Sequence, residues 1–143
     1  RLRVHGAGED EAALKEQCTG LGLDGSVEWM GRSDDVERAL AEASVFVQSS
    51  RGEGFPLALL EAMAGGVPCA AFDCAPGVRE IVRDGEDGLL APPGDIAALA
   101  DRLLRLTGNP RLRVHGAGED EAALKEQCTG LGLDGSVEWM GRS

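Results

Sequence analysis

Between Ser50 and Pro68 the sequence reads SRGEGFPLALLEAMAGGVP, which spells out a loop, a helix and a stop. Gly52 and Gly54 bracket Glu53 and loosen the backbone. Pro56 suits a first helical position because its missing N–H would be unpaired there, and Gly65 and Gly66 end the helix. Unpaired backbone N–H groups are expected to gather around residues 54 to 58. The positive end of the helix dipole points the same way, so the helix start is an anion site by construction. Glu53 lies just outside it, and Glu61 lies five positions beyond Pro56, about 7 to 8 Å along the axis at ~1.5 Å per residue. Carboxylates repel phosphate but accept hydrogen bonds from hydroxyl groups. The ligand that fits is a polyol joined to a phosphate.

Val45-Phe46-Val47 leads into this loop as a short buried strand, placing the pocket beyond a strand's carboxyl end, where open α/β sheets bind ligands. Upstream, Leu2 to His5 and Val27 to Met30 read as strands. A helix with Leu14, Cys18 and Leu21 on one face lies between them. A second helix follows, N-capped by Ser33, with Asp34 and Asp35 in its first turn and Val36 and Leu40 on its apolar face. Downstream, Cys69 to Phe72 is an apolar strand, Asp73 to Gly77 turns into a short helix through Val78, Ile81 and Val82, and Asp84 to Gly88 is an acidic turn. Leu89-Leu90-Ala91 is the next strand. Asp95 then caps a helix with Ile96, Leu99, Leu103 and Leu106 on its inner face, stopped by Gly108 and Pro110. Strands alternate with helices, which predicts βα units and an α/β fold with a parallel sheet.

Gly6-Ala7-Gly8 after the first strand could be mistaken for a dinucleotide fingerprint. The third glycine would fall at Glu11, and Glu9 and Asp10 crowd the helix start with negative charge that would repel a pyrophosphate. A tight turn into a helix accounts for the run.

A net charge of −11 argues against nucleic acid or an anionic membrane surface as partner, since both need clustered Lys and Arg. No apolar run approaches the ~20 residues of a membrane span, and the first residues lack a signal peptide's apolar region, so a soluble, cytoplasmic chain is expected. Apolar residues make up 43% of the chain, enough for a core, and aromatics only 3%, so that core is aliphatic. Cys18, Cys69, Cys74 and Cys128 show neither metal-ligand spacing nor a disulfide framework and are expected to be free thiols; no metal is expected.

Residues 1–33 recur without a change at 111–143, a shift of 110 positions. Solenoid repeats recur at 20 to 50 residues and old duplications drift, so a perfect copy after a long unique segment points to engineering or a very recent duplication. Only 110 residues are independent information; His115, Cys128 and Trp139 duplicate His5, Cys18 and Trp29.

The run EGFPLALLE from Glu53 to Glu61, an E-x7-E spacing continued by Ala62 to Pro68, is the specific signal, with VFVQSS before it and AAFDCAPGVREIVRDGEDGLLAPPGD after it. From residue 1 to about 110 the chain resembles the carboxyl-terminal, donor-binding domain of a retaining glycosyltransferase of the GT-B fold, family 4. The resemblance implies a Rossmann-like parallel sheet with helices on both faces, half of a GT-B fold, and a nucleotide-diphosphate sugar as ligand, with no separate cofactor. It implies that Glu53 touches the transferred sugar as the catalytic-site carboxylate. Backbone groups at Gly54, Phe55 and Pro56, with Leu57 beside them, would hold sugar hydroxyls and phosphate, and Glu61 the ribose hydroxyls. Pro68, Gly77 and Gly88 match the pattern as turn and packing residues. The E-x7-E run favours a transferase over a sugar-nucleotide epimerase on the same fold.

Two departures bear on activity. The family's donor domain begins with a strand and loop carrying an Arg and then a Lys that neutralise the departing diphosphate, and an amino-terminal domain carries the acceptor site; neither occurs in these residues. Arg32 and Arg51 are the nearest substitutes in sequence. Losing one such cation can cost roughly 3 to 4 kcal/mol of transition-state stabilisation, so little or no transfer is expected from this chain alone. The absent strand would lie between those at residues 2–5 and 45–48, leaving two open edges. The second expectation is therefore structural: 111–143 completes the sheet of the 1–110 domain with Leu112 to His115, or exchanges with another chain to give a swapped homo-oligomer with no ligand.

Overall fold

The computed structural model describes residues 1–108 together with the strands Leu112–His115 and Val137–Met140. The chain divides into two compact units, residues 1–39 and residues 40 onward.

In the first unit, β1 (Leu2–His5) pairs in parallel with β2 (Val27–Gly31), Val4 opposite Trp29, with α1 (Glu11–Gly20) as the crossover. Gly6 takes φ +121° and donates to the Gly31 carbonyl, so the Gly6-Ala7-Gly8 run is indeed a turn between strand and helix. Arg1 and Arg3 both reach Glu28 across the pair, at 2.9 and 3.2 Å. Only Cys18 of the expected α1 face is buried; Leu14 and Leu21 are exposed. A two-stranded sheet has too little area to cover a whole helix stripe.

α2 (Val36–Ala41) crosses the division between units. Its cap is Asp35, whose carboxylate accepts from the Arg38 N–H at 2.9 Å; Ser33, expected in that role, instead donates its hydroxyl to the Asp35 carbonyl. Asp and Ser are nearly equivalent caps, and the local sequence does not rank them.

The second unit is built on a parallel sheet, β3 (Phe46–Gln48), β4 (Cys69–Phe72) and β5 (Leu89–Ala91) in that order. All four residues of β4 and all three of β5 are buried, as expected of a parallel strand covered on both faces. Alternation assigns the faces. Cys69, Ala71 and Leu90 pack with Leu59 and Ala62 of α3 (Leu57–Ala64) and Val78 of α4 (Pro76–Ile81). Ala70, Phe72, Leu89 and Ala91 pack with Leu99 and Leu106 of α5 (Ile96–Gly108). Asp95 caps α5 through the Ala98 N–H at 2.9 Å, as its sequence predicts. Ile96, assigned to the inner face, is 78% exposed and belongs to neither cluster.

The Asp84–Gly88 turn spends its acids internally: Asp84 accepts from the Leu90 N–H at 2.8 Å, and Asp87 takes the Arg83 N–H at 2.7 Å and its Nε at 2.8 Å. Gly88 has no room for a side chain. An added Cβ would stand 2.8 Å from Val82 Cγ1 and 3.3 Å from the Cys69 carbonyl oxygen. Gly88→Ala should lower the unfolding free energy by about 1 to 3 kcal/mol, seen as a reduced urea midpoint at unchanged slope.

β6 (Leu112–His115) pairs in parallel with β7 (Val137–Met140), Val114 opposite Trp139, in a two-stranded sheet of their own. Neither β6 nor β7 pairs with any of β1 to β5 among the described residues. Identical residues at identical spacing carry the same partner with them, and β6–β7 repeats the start of the β1–β2 register. Pro110, Cys128 and the rest of the second copy lie outside the described residues. No helix among the described residues is long and apolar enough to cross a membrane.

Candidate functional site

Parallel pairing of Phe46 with Cys69, Val47 with Ala70 and Gln48 with Ala71 fixes where the chain leaves the sheet. The loop from Ser49 to Pro56 departs from that carboxyl end and runs into α3. Pro56 is the N-cap rather than the first helical residue, with φ −81° and ψ 76°. Its ring is fully buried, and its carbonyl accepts from the N–H groups of Leu59 and Leu60, both at 3.1 Å. Pro56 is thus the anchor of the loop, and it has no donor to offer a ligand.

The crowd of free donors is thinner than the sequence implies. Leu57 N–H is taken by the Phe55 carbonyl at 2.9 Å; those of Gly54, Phe55 and Ala58 have no backbone partner among the described residues. Gly54 is exposed, and Phe55 and Leu57 are 51% and 62% exposed. α3 ends in a Schellman arrangement, with Gly66 at φ +72° donating to Met63 O and Val67 donating to Ala62 O. This fixes the helix register and so the face on which Glu61 stands. Glu61 lies four residues after Leu57 and is exposed, whereas Leu59 and Ala62 are buried, and it makes no ion pair or side-chain hydrogen bond among the described residues. α4 packs closely on the loop: a Cβ on Gly77 would sit 3.3 Å from Pro56 Cδ and 3.4 Å from Phe55 Cδ2, a tight fit that would press the loop by a few tenths of an ångström.

Glu53 is half-buried and accepts a hydrogen bond from Gln48 Nε2 at 2.9 Å. Sequence reasoning missed Gln48. It gave the last residue of the strand no role, whereas β3 runs from Phe46 to Gln48. The signal available was a polar amide closing an apolar run, within the quoted VFVQSS.

One charged pair follows the carboxyl end of β4. Arg79 donates through Nε to Asp73 at 2.7 Å, and this hydrogen bond holds the Asp73 carboxyl below the usual carboxylate range. A depressed folded value stabilises at neutral pH and is lost as the pH falls through it, so acid unfolding should be less steep in Asp73→Asn below about pH 4. Arg79 is exposed, so the difference should be small and shrink with salt; urea melts from pH 5 to 2 measure it. Burial pushes the Cys69 thiol up, and its Sγ donates to the Val67 carbonyl at 3.0 Å, which makes it an inert core residue. Cys18 and Cys74 are also free thiols. A shallow cavity lined by Asp73, Arg79, Asp84, Pro92 and Arg102 includes none of the residues from Glu53 to Glu61. Arg51 is exposed.

Residues 1–109 match the family model described as glycosyl transferases group 1. The chain belongs to this family. Among relatives of this glycosyltransferase domain, it is 44% identical over 127 residues to an exopolysaccharide phosphotransferase of Streptomyces coelicolor, covering 87% of this chain and 14% of that protein. It is 41% identical over 116 residues to a phosphatidyl-myo-inositol mannosyltransferase of Mycobacterium leprae, covering 79% and 30%. Among solved structures it is similar to the lipopolysaccharide outer core galactosyltransferase WaaB in its apo form, with 30% identity and a TM-score of 0.70 over 76% of this chain and 31% of that one. The domain therefore spans less than a third of each of these proteins.

Proposed function

We propose that this chain binds a nucleotide-diphosphate sugar, as the donor-side portion of a retaining glycosyltransferase. The observation that carries the reading is the placement of two carboxylates about the start of α3. Glu53 is held on the loop at the carboxyl end of β3, and Glu61 is free on the exposed face of the helix. Between them the N–H groups of Gly54, Phe55 and Ala58 are available to diphosphate oxygens at the positive end of the helix. Carboxylates cannot take a phosphate but can accept hydroxyl donors; the family resemblance assigns the sugar to Glu53 and the ribose to Glu61. Names of relatives in the group support a hexose donor, since two of those above are a mannosyltransferase and a galactosyltransferase. The Streptomyces relative's phosphotransferase activity is not carried over, because this chain matches 14% of that protein.

Transfer needs groups that these 143 residues do not supply: an acceptor-side domain and the Arg and Lys expected to neutralise the leaving diphosphate. The catalytic role assigned to Glu53 is exercised only in that larger setting. Calorimetric titration with UDP- and GDP-sugars tests the binding reading, and no heat at millimolar ligand would sink it. Sugar transfer to an acceptor by the purified chain would overturn the inactivity.

One observation favours a second, structural reading. β1 and β3 lie in different sheets, and each has a pairing edge that no described strand occupies. An identical copy of the β1 sequence is present at Leu112–His115. Exchange of the copies between chains would give a homo-oligomer held by strand pairing. A constant monomer mass by light scattering across a hundredfold concentration range would remove it.

A further inference from the structure

We infer that Gln48 is a positioning residue, whose side-chain amide fixes the Glu53 carboxylate in the orientation that receives the donor's sugar; this rests on the donor-site reading above. Gln48 Nε2 lies 2.9 Å from Glu53 Oε1 in a partly buried contact. A carboxylate only accepts, so the amide nitrogen is the end that faces Glu53 and the amide oxygen faces away. That oxygen is buried without a hydrogen-bond partner, the one such side-chain atom among the described residues.

A residue kept there only to fill space would not be a glutamine. Leucine is similar in size, has no acceptor to strand, and would spare the fold the desolvation of an unpaired amide oxygen. An unpaired buried amide oxygen is a cost to the fold, and among the described residues the side chain's one hydrogen bond is to Glu53. Glu53 needs that contact. It stands between Gly52 and Gly54 in a segment with neither helix nor strand, so nothing in its own backbone restricts where the carboxylate points. Gln48 is a strand residue paired in register with Ala71 of the buried β4, so its donor is fixed by the sheet. One hydrogen bond therefore transfers the rigidity of the sheet to a loop carboxylate and lowers the ordering cost when the sugar arrives. The second carboxylate oxygen of Glu53 is left to accept from a sugar hydroxyl.

The test uses the 143-residue chain, Gln48→Leu and Gln48→Glu, each titrated with UDP, UDP-glucose, GDP and GDP-mannose. The quantity read is the ratio of affinities with and without the sugar. In Gln48→Leu that ratio should fall about tenfold, the worth of one hydrogen bond to a charged group, while the melting temperature stays level or rises. Gln48→Glu sets carboxylate against carboxylate and should lose the ratio as well. In the wild-type chain the Gln48 side-chain amide resonances should shift on Glu53→Ala. An unchanged sugar ratio in Gln48→Leu, or amide resonances indifferent to Glu53→Ala, overturns the proposal and leaves the donor-site reading standing. A wild-type chain that binds none of the four ligands removes that reading, and the proposal with it.

Discussion

Leu59→Ala is expected to destabilise the second unit by about 3 to 4 kcal/mol, a large share of the 5 to 15 kcal/mol that holds an ordinary domain together. Leu59 is 0% exposed and projects from α3 into the cluster formed by Cys69, Ala71, Val78, Val82 and Leu90. Removing its branched end takes apolar area out of the core and leaves a cavity. The neighbours have little freedom to fill that cavity, because Ala71 is already small and Val78 and Val82 are β-branched and stiff. The same helix carries Glu61, and its first turn begins at the loop that carries Glu53, so loosening α3 should weaken ligand binding as well as the fold. Far-UV circular dichroism during urea unfolding is the measurement. Leu59→Met keeps the volume and should cost less than about 1.5 kcal/mol. Equal losses in the two variants would mean that Leu59 does not seat α3 on the sheet.

How far the sequence anticipated this arrangement depends on the reach of each determinant. The stop at Gly65-Gly66, the Asp95 cap and the turn at Asp84 to Gly88 are settled within a few residues, and each is found as expected. The run from Cys69 to Phe72 is apolar at every position because it is covered on both faces, which is how a parallel strand declares itself. The group to which Glu53 and Glu61 belong was also legible, since the spacing and order of the whole run carry it. Errors of one or two residues arose where neighbouring side chains compete for one role, as Ser33 and Asp35 do for the α2 cap and Pro56 and Leu57 do for the helix start.

What stayed hidden depends on contacts that periodicity does not encode. The bond from Gln48 to Glu53 exists because the loop folds back on the end of β3, and the glycines that allow this also erase any pattern that would announce it. The exposure of Leu14 and Leu21 follows from the size of the sheet available to α1, a property of strand pairing and not of the helix. The division of the strands into separate sheets was foreseen only as two open edges. The second copy pairs β6 with β7, as β1 pairs with β2.

Glu61→Ala should weaken nucleotide-sugar binding roughly 50-fold, about 2.3 kcal/mol, while leaving the fold intact. The two halves of that expectation have separate grounds. Glu61 is exposed and makes no ion pair or side-chain hydrogen bond among the described residues, so its removal strands no buried group, and alanine is the better helix former. The melting temperature should therefore hold. Binding should not, because a carboxylate facing a ribose accepts from two vicinal hydroxyls at once, and hydrogen bonds to a charged acceptor are worth more than neutral ones. UDP and a UDP-sugar should suffer alike, since the ribose is common to both, whereas Gln48→Leu should affect only the sugar-bearing ligand. Glu61→Gln retains one acceptor oxygen and should fall between wild type and alanine. A Glu61→Ala chain that binds as tightly as wild type would move the ribose away from α3. One that melts early as well as binding weakly would make Glu61 a structural residue, and the E-x7-E spacing would then report helix architecture in place of ligand chemistry.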